Sequence, residues 1–338
     1  MRRRMARVKR AVDDVEGVER PMGKDVLVLP WKYAGDHERI ARLLERYGCR
    51  LVDRPVEYPL TEDQLVELVK DVDGLITGIE PITARVLASA NRLKVISTSG
   101  VGYNHIDIDE ATRRGIAVCI CAGCNNRSVA ELALGMMFAL ARRIGEADRA
   151  LRRGQWQPLF GTELFGKTLG IIGLGRAGKT LGVLGRALSM RVLAYDIAWD
   201  IPFAAAHGID YVPLERLLQE SDFVSIHVPL TPQTHYLINE ETLSLMKPSA
   251  FLINLARGPV VKQSALVEAL RAGKIAGAGL DVFEVEPLTE NPFAEFENVI
   301  MTPHIGGSTE EARERTLFLA ITNVCNVLNG LPPHCQVN

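Results

Sequence analysis

The sequence predicts an α/β protein made of two domains, each built on a doubly wound parallel sheet. Short apolar segments alternate with helical segments in two successive series along the chain. A long helical segment separates the two series, and one more helical segment follows the second. Because strands that alternate with helices indicate βαβ units, each series is expected to form its own parallel sheet.

The first series alternates apolar strands with amphipathic helices. Its first helix ends at Gly48, and its second begins at Thr61, whose hydroxyl can cap the free N–H groups. The basic start of the chain, MRRRMARVKR, is followed at once by acidic residues, which favours a loose N-terminal extension over a transit peptide. The predicted strands are 24–30, 49–52, 74–77 and 93–100, and the predicted helices are 37–48 and 61–71.

The second series follows one long predicted helix, 128–154, which is longer than an ordinary crossover. It contains six apolar strands, enough for a complete doubly wound domain. A last helix, 309–330, is expected to return the chain to the first domain. The sequence therefore predicts a first domain of residues 1–122 plus 305–338 and an inserted domain of residues 123–304. The six strands are KTLGIIG, MRVLAYD, FVSIHVP, AFLINLA, GAGLDV and NVIMTPH.

Composition and charge argue against several classes of protein. The chain has 338 residues, of which 47% are hydrophobic, so it can bury a full core. A net charge of −2 gives no basic field for nucleic acid or an anionic membrane. No signal-peptide core is visible, and the longest apolar helical run, 132–141, is shorter than the ~20 residues that span a bilayer. We therefore expect a cytoplasmic protein without nucleic-acid or membrane partners.

Six cysteines are too few for a disulfide framework in a chain of this length. Cys119, Cys121 and Cys124 lie close together, but no second ligand cluster follows at zinc-site spacing. We interpret them as reduced, partly buried thiols and predict no metal site.

A glycine-rich turn predicts a dinucleotide site in the second domain. In GLGRAG, Gly173, Gly175 and Gly178 follow a predicted strand and precede a predicted helix. The three glycines suit a tight turn, close approach of the backbone to a pyrophosphate, and close packing of helix on strand. The pyrophosphate is expected at the helix N-terminus, where free N–H groups and the helix dipole favour an anion.

The next strand ends in Asp196, which can accept hydrogen bonds from both hydroxyls of an adenosine ribose. The same carboxylate would repel a 2′-phosphate, so the motif predicts a Rossmann domain that binds NAD rather than NADP. Arg176 is the counterargument, since its side chain could reach a phosphate. A glycine-rich turn with no ligand is the remaining alternative.

Three later segments of the second series carry residues suited to acid–base chemistry. They are INLARGPVV with Arg257, GLDVFEVEP with Asp281 and Glu286, and MTPHIGG with His304. In an open α/β sheet ligands bind outside the carboxyl ends of the strands, so all three segments point to the rim that holds the dinucleotide. The alternatives are a structural histidine, a surface ion pair for Arg257 and a solvated carboxylate for Glu286.

Together these segments resemble the NAD-dependent D-2-hydroxyacid dehydrogenases, the family that includes phosphoglycerate dehydrogenase. The resemblance extends over about 76–330, and its strength lies in the set of motifs rather than in any one of them. The matching segments are SGVGYNHID (99–107), NNRSVAELALG (125–135), GKTLGIIGLGRAG (166–178), HVPLTPQT (227–234), INLARG (253–258), GLDVFEVEP (279–287) and TPHIGGST (302–309).

The resemblance implies the role of each candidate catalytic residue. Arg257 would hold the substrate carboxylate and keto oxygen, His304 would be the acid–base group, and Glu286 its partner. Backbone N–H groups of the loop Gly100–Gly102, with Val101 between, would bind the substrate carboxylate. The implied cofactor contacts are Gly173, Gly175, Arg176, Ala177, Gly178, Asp196, His227, Pro229, Thr234, Ala256, Asp281, His304 and Gly306.

The chemistry explains why these residue types suit the task. Reduction of a 2-oxo acid develops negative charge on the keto oxygen, and arginine offers a permanent cation with a planar fork. A proton must also be delivered, which histidine can do near neutral pH. A neighbouring carboxylate favours its protonated form and orients the ring.

The sequence leaves the substrate open. Thr77 stands where phosphoglycerate dehydrogenases commonly carry an arginine that helps bind the substrate phosphate, whereas NNRSVAEL with Arg127 resembles the phosphoglycerate branch. The predicted reaction is hydride transfer between NAD(H) and a D-2-hydroxy acid/2-oxo acid pair, with 3-phosphoglycerate/3-phosphohydroxypyruvate as one candidate pair. The alternatives are a glyoxylate/hydroxypyruvate-type reductase and an NAD(H)-sensing, corepressor-like interaction protein.

The resemblance also implies the organisation of the two domains. The NAD-binding domain would be inserted into a flavodoxin-like substrate domain. A homodimer would form through the NAD domain, around helix 128–154 and the following arm, LRRGQWQPLFGTEL.

Overall fold

The computed structural model describes residues 24–54 and 58–338 and divides the chain into two units. The first unit comprises the described residues up to Cys121 together with Leu317–Asn338, and the second is Ala122–Thr316. The predicted N-terminal extension lies outside the described residues. Residues 305–316, assigned to the first domain from the sequence, group with the second unit instead.

Two hydrogen bonds explain why this segment stays with the second unit. The hydroxyls of Ser128 and Thr309 lie 2.9 Å apart, and Arg315 Nε donates to the carbonyl oxygen of Cys124 at 2.8 Å. Both contacts tie the segment to the start of the second unit, before the chain returns to the first.

The first unit is built on a five-stranded sheet with the order β2-β1-β3-β4-β5. All neighbouring strands run parallel, as in flavodoxin-like domains. Its fifth strand was missed from the sequence, because three residues are too few to show a pattern. The strands are β1 (Lys24–Val28), β2 (Cys49–Val52), β3 (Gly74–Thr77), β4 (Val95–Thr98) and β5 (Ala117–Cys119). The helices are α1 (His37–Glu45), α2 (Glu62–Leu68), α3 (Ala84–Ser89) and α4 (Ile108–Arg113).

The second unit is built on a seven-stranded parallel sheet with the order β12-β11-β10-β9-β6-β7-β8. This is the Rossmann order with one added edge strand. The sequence predicted six strands; the seventh, β8, has only three residues with a central aspartate and shows no apolar run. The strands are β6 (Thr168–Ile172), β7 (Arg191–Tyr195), β8 (Ile209–Tyr211), β9 (Phe223–Ile226), β10 (Phe251–Asn254), β11 (Gly277–Leu280) and β12 (Val299–Met301).

The single long helix predicted at 128–154 is wrong, because the chain breaks there into two helices. They are α5 (Asn126–Ala141) and α6 (Ile144–Arg152), and Arg143 between them has a left-handed φ of 53°. Its guanidinium binds Glu146 in the first turn of α6, with contacts of 2.7 and 2.8 Å. The other helices are α7 (Arg176–Ala187), α8 (Ile201–His207), α9 (Leu214–Glu220), α10 (Glu240–Ser244), α11 (Gln263–Arg271) and α12 (Glu310–Leu328).

The last residues of the chain cover the edge of the first sheet. Val337 N–H donates to Val118 O and Ile120 N–H donates to Cys335 O, each at 2.9 Å, in an antiparallel arrangement along β5. Such pairing satisfies the exposed backbone groups of an edge strand. Within residues 24–54 and 58–338, no helix is long and apolar enough to cross a bilayer.

Candidate active site

The three glycines of the phosphate-binding turn have three different environments. Gly173 has a φ of 97°, and a Cβ there would lie 2.8 Å from the carbonyl carbon of His227. A Cβ on Gly178 would lie 2.1 Å from the oxygen of Gly173, so only glycine lets α7 pack this closely. At Gly175, which precedes α7, a Cβ would meet nothing within 4 Å. The turn therefore leaves open space at a helix N-terminus, which fits a pyrophosphate.

Asp196 lies beside this turn. Its Oδ2 accepts a hydrogen bond from Leu174 N–H at 2.7 Å, and its Oδ1 accepts one from Ala198 N–H at 3.0 Å. The carboxylate is half-buried and is fixed to the glycine turn itself, as a ribose acceptor would need to be. Arg176 is exposed, and its guanidinium lies against Gly123, where a Cβ would come within 3.1 Å of Nη1.

Arg257 follows β10 and is positioned by its neighbours. Asn254, which is buried, accepts from Ala256 N–H through its side-chain oxygen and donates to Arg257 O through Nδ2, both at 3.0 Å. A Cβ on Gly258 would lie 1.8 Å from Phe283 O, so only glycine lets the chain pass here. The sequence analysis missed Asn254 and Gly258; the available signal was a buried amide ending an apolar strand.

The Arg257 guanidinium sits in a partly dehydrated environment. Its Nη1 donates to Ala256 O at 2.6 Å. Burial lowers the pKa of Arg257, and the negative charge of Glu286 opposes that shift. Arginine remains protonated in proteins, so the site holds a cation whose field is less screened than in bulk water.

Glu286 and His304 are brought together by the structure. His304 Nδ1 lies 2.6 Å from Glu286 Oε2, and Glu286 Oε1 accepts from Phe283 N–H at 2.9 Å. Burial would raise the pKa of Glu286, but the hydrogen bond and charge of His304, with smaller help from Phe283 and Arg257, outweigh it and lower the pKa. The pair therefore consists of a carboxylate facing a ring nitrogen, and the other ring nitrogen, Nε2, is the one that can exchange a proton with substrate.

Asp281 holds the turn that carries His304. Its carboxylate accepts from the N–H groups of Ile305 and Gly306 at 2.7 Å and from Thr302 Oγ1 at 2.5 Å. His304 N–H donates to Asp281 O at 2.9 Å. These bonds support a left-handed φ of 53° at His304, which a residue other than glycine adopts only when its surroundings enforce it. The predicted contact of Asp281 with the nicotinamide carboxamide stays a prediction.

The remaining predicted cofactor contacts lie in ordered turns of the second unit. His227 follows β9, and its Nε2 hydrogen-bonds Ser225 Oγ at 2.9 Å. Burial lowers the pKa of His227 to about 4, so its ring is neutral near pH 7 and is not a proton donor. Thr234 Oγ1 donates to Pro229 O at 2.6 Å and closes the PLTPQT turn. Two other such residues are Ala177, in the first turn of α7, and buried Ala256.

The loop Gly100–Gly102 follows β4 in the first unit. Its first carbonyl oxygen, of Gly100, accepts from Cys121 N–H at 2.7 Å and from Thr98 Oγ1 at 2.8 Å. A Cβ on Gly100 would meet nothing within 4 Å, and Val101 is exposed. The loop is therefore fixed through its carbonyl group. Its binding of the substrate carboxylate stays a prediction.

Comparison with known proteins decides the family. The model of the D-isomer specific 2-hydroxyacid dehydrogenase NAD binding domain matches residues 134–306. The glyoxylate reductase of Thermofilum pendens is 46% identical over 298 residues, which cover 85% of this chain and 88% of that protein. The chain belongs to the D-isomer specific 2-hydroxyacid dehydrogenase family.

Two further relatives show the range of this family. D-3-phosphoglycerate dehydrogenase of Methanocaldococcus jannaschii is 41% identical over 299 residues, which cover 87% of this chain but only 56% of that longer protein. The solved D-lactate dehydrogenase of Aquifex aeolicus, complexed with NAD and lactic acid, is 31% identical. It matches with a TM-score of 0.80 over 90% of this chain and 96% of that one.

As a member of this family, the protein is an NAD-dependent oxidoreductase that moves a hydride between NAD(H) and a D-2-hydroxy acid/2-oxo acid pair. Arg257, Glu286 and His304 follow β10, β11 and β12 at the carboxyl end of the sheet, where ligands bind in this fold. The three clustered cysteines are buried free thiols. In the described part of the chain, no group of three or more His, Cys, Asp or Glu side chains could hold a metal ion.

Proposed function

We propose that this dehydrogenase reduces small, unphosphorylated 2-oxo acids of the glyoxylate and hydroxypyruvate type to D-2-hydroxy acids with NADH. The observation that carries the chemistry is the 2.6 Å contact between His304 and Glu286, next to the cation of Arg257. The substrate class is supported by the relatives, since the glyoxylate reductase match extends over nearly the whole of that protein. Thr77, where a phosphate-binding arginine would stand, offers no cation.

Each side chain has a distinct part in the proposed reduction. The nicotinamide supplies the hydride that adds to the keto carbon. Arg257 stabilises the negative charge that develops on the keto oxygen, and His304 Nε2 gives that oxygen its proton. Glu286 orients the ring and stabilises its protonated form. Asp281 keeps the His304 turn in place through the hydrogen bonds to Ile305 and Gly306.

Steady-state NADH oxidation by the purified full chain tests this proposal. Glyoxylate, hydroxypyruvate, phenylpyruvate and 3-phosphohydroxypyruvate would be compared side by side, with kcat/KM as the readout. We expect turnover, with glyoxylate or hydroxypyruvate preferred. A preference for the phosphorylated acid would instead support phosphoglycerate dehydrogenase activity, the candidate that Arg127 in NNRSVAEL favours. Absence of turnover with every 2-oxo acid would favour the NAD(H)-sensing, corepressor-like role.

We also propose that the protein is a homodimer formed through its NAD domain. The arm after α6 exposes three aromatic side chains: Trp156 is 86% exposed, Phe160 91% and Phe165 71%. Exposed aromatic side chains clustered along one segment are typical of a surface that another chain covers. A cytoplasmic location remains a prediction.

Sedimentation velocity at micromolar protein tests the dimer. The wild type is expected to sediment as a dimer, and the double change Phe160→Glu with Phe165→Glu is expected to give a monomer, because buried charges without partners oppose association. Leu331→Glu is the control, since Leu331 is also exposed but lies in the first unit. A monomeric wild type would contradict the proposal.

A further inference from the structure

The carboxyl end of β3, in the first unit, carries a buried carboxylate that the proposed reaction does not use. Glu80 is only 6% exposed. Its Oε2 accepts hydrogen bonds from Thr77 Oγ1 at 2.7 Å and from Gly78 N–H at 2.5 Å. This is the position at which a phosphate-binding arginine was expected from the phosphoglycerate branch.

Only neutral donors surround this carboxylate. A third hydrogen bond comes from the Tyr58 hydroxyl; burial raises the pKa of Tyr58, and the charge of Glu80 raises it further, so the phenol stays protonated. No Lys, Arg or His among the described residues forms an ion pair with Glu80. Its negative charge is therefore stabilised by dipoles but not cancelled, and burial lets its field act over a longer range than on an exposed surface.

This charge lies beside the loop proposed to bind the substrate carboxylate. Strands β3 and β4 are neighbours, and Ser99 N–H donates to Thr77 O at 2.7 Å, directly before the loop Gly100–Gly102. Lys32 Nζ donates to Ser99 O at 2.7 Å. The loop thus begins next to a lysine on one strand end and next to the buried carboxylate on another.

We propose that Glu80 determines the substrate class by repulsion, excluding 2-oxo acids that carry a second anionic group. It would accept acids whose remaining substituent is hydrogen, a small neutral group or a hydroxyl, which can donate a hydrogen bond to the carboxylate. This inference rests on the proposed function. A phosphate monoester carries about −1.5 to −2 charges at neutral pH, so its repulsion by a nearby buried carboxylate is strong. Specificity of this kind comes from an unfavourable contact with the wrong ligand.

The competing interpretation is that Glu80 only shapes the turn at 77–80. The change Glu80→Gln separates the two roles, because the glutamine side-chain oxygen can still accept from Thr77 and Gly78 while the charge is lost. A purely structural role predicts the same change in kcat/KM for every substrate. A repulsive role predicts a change confined to substrates with a second negative charge.

The experiment compares wild type and Glu80→Gln with NADH and three acids: hydroxypyruvate, 3-phosphohydroxypyruvate and oxaloacetate. We expect the kcat/KM ratio of phosphorylated to unphosphorylated acid to rise about tenfold or more in the variant, with a smaller rise for oxaloacetate, because one unit charge is removed at close range. Glu45→Gln, on the exposed surface of α1, is the matched control and should leave both ratios unchanged.

An unchanged ratio in a folded, active Glu80→Gln enzyme would overturn the inference and leave the proposed function intact. Lack of turnover by the wild type would instead remove the proposed function. If Glu80→Gln does not fold, the wild type still decides. Use of oxaloacetate as efficiently as 2-oxobutyrate, an uncharged acid of the same chain length, would show that a second charge is not excluded. Discrimination of tenfold or more would support the role of Glu80.

Discussion

Replacing His304 with alanine is expected to lower the turnover of 2-oxo acids by about 10²–10⁴-fold, the usual contribution of a positioned general acid. Alanine cannot protonate the keto oxygen, so the charge left by hydride addition would have to be neutralised by water. NADH affinity should change little, because the glycine turn and Asp196 lie on other segments. The measurements are kcat by NADH oxidation and NADH binding by equilibrium titration.

The backbone of His304 requires a second variant. With a φ of 53°, alanine at this position would be strained, and part of any loss could come from a distorted turn. Asparagine tolerates this conformation far better and cannot transfer a proton. We therefore expect His304→Asn to be as inactive as His304→Ala. If His304→Asn retained wild-type turnover, the imidazole would not be the proton donor.

The sequence predicted the parallel sheets and the glycine turn well, because these features are encoded locally. Apolar strands, capped helices and a glycine pattern are each visible within a few residues. The elements that were missed are short or depend on distant contacts. Strand β8 has three residues and only becomes a strand by pairing with β7. The break after α5 is fixed by the ion pair between Arg143 and Glu146, which a helical pattern also allows.

The residues that position the site were harder to predict than those proposed to do the chemistry. Gly258 is required because the peptide of Phe283 and Glu284 lies against it, and no local pattern reveals that contact. Asp281 was assigned to the cofactor by resemblance, whereas its hydrogen bonds join the end of β11 to the turn after β12. Such roles depend on which strands are neighbours in the sheet, and that is a property of the folded chain.

Replacing Arg257 with lysine is expected to lower kcat/KM for 2-oxo acids by about 10²–10³-fold, the loss typical of removing one donor to a developing oxyanion. The positive charge is kept, but the rigid fork of the guanidinium is lost. That fork is already oriented by the 2.6 Å bond to Ala256 O, while Glu286 lies near enough to affect its pKa. A lysine ammonium is a compact point charge that cannot reproduce both contacts and still face a planar keto acid.

Arg216→Lys is the matched control, since Arg216 is exposed and pairs with Glu220 in α9, away from the carboxyl ends of the strands. Exposed ion pairs contribute little, so this variant should keep wild-type kcat/KM and stability. The Michaelis constant for NADH should also be unchanged in Arg257→Lys, because Arg257 acts on the substrate rather than on the dinucleotide. If Arg257→Lys kept wild-type kcat/KM, a charge alone would suffice and the guanidinium geometry would have no part in catalysis.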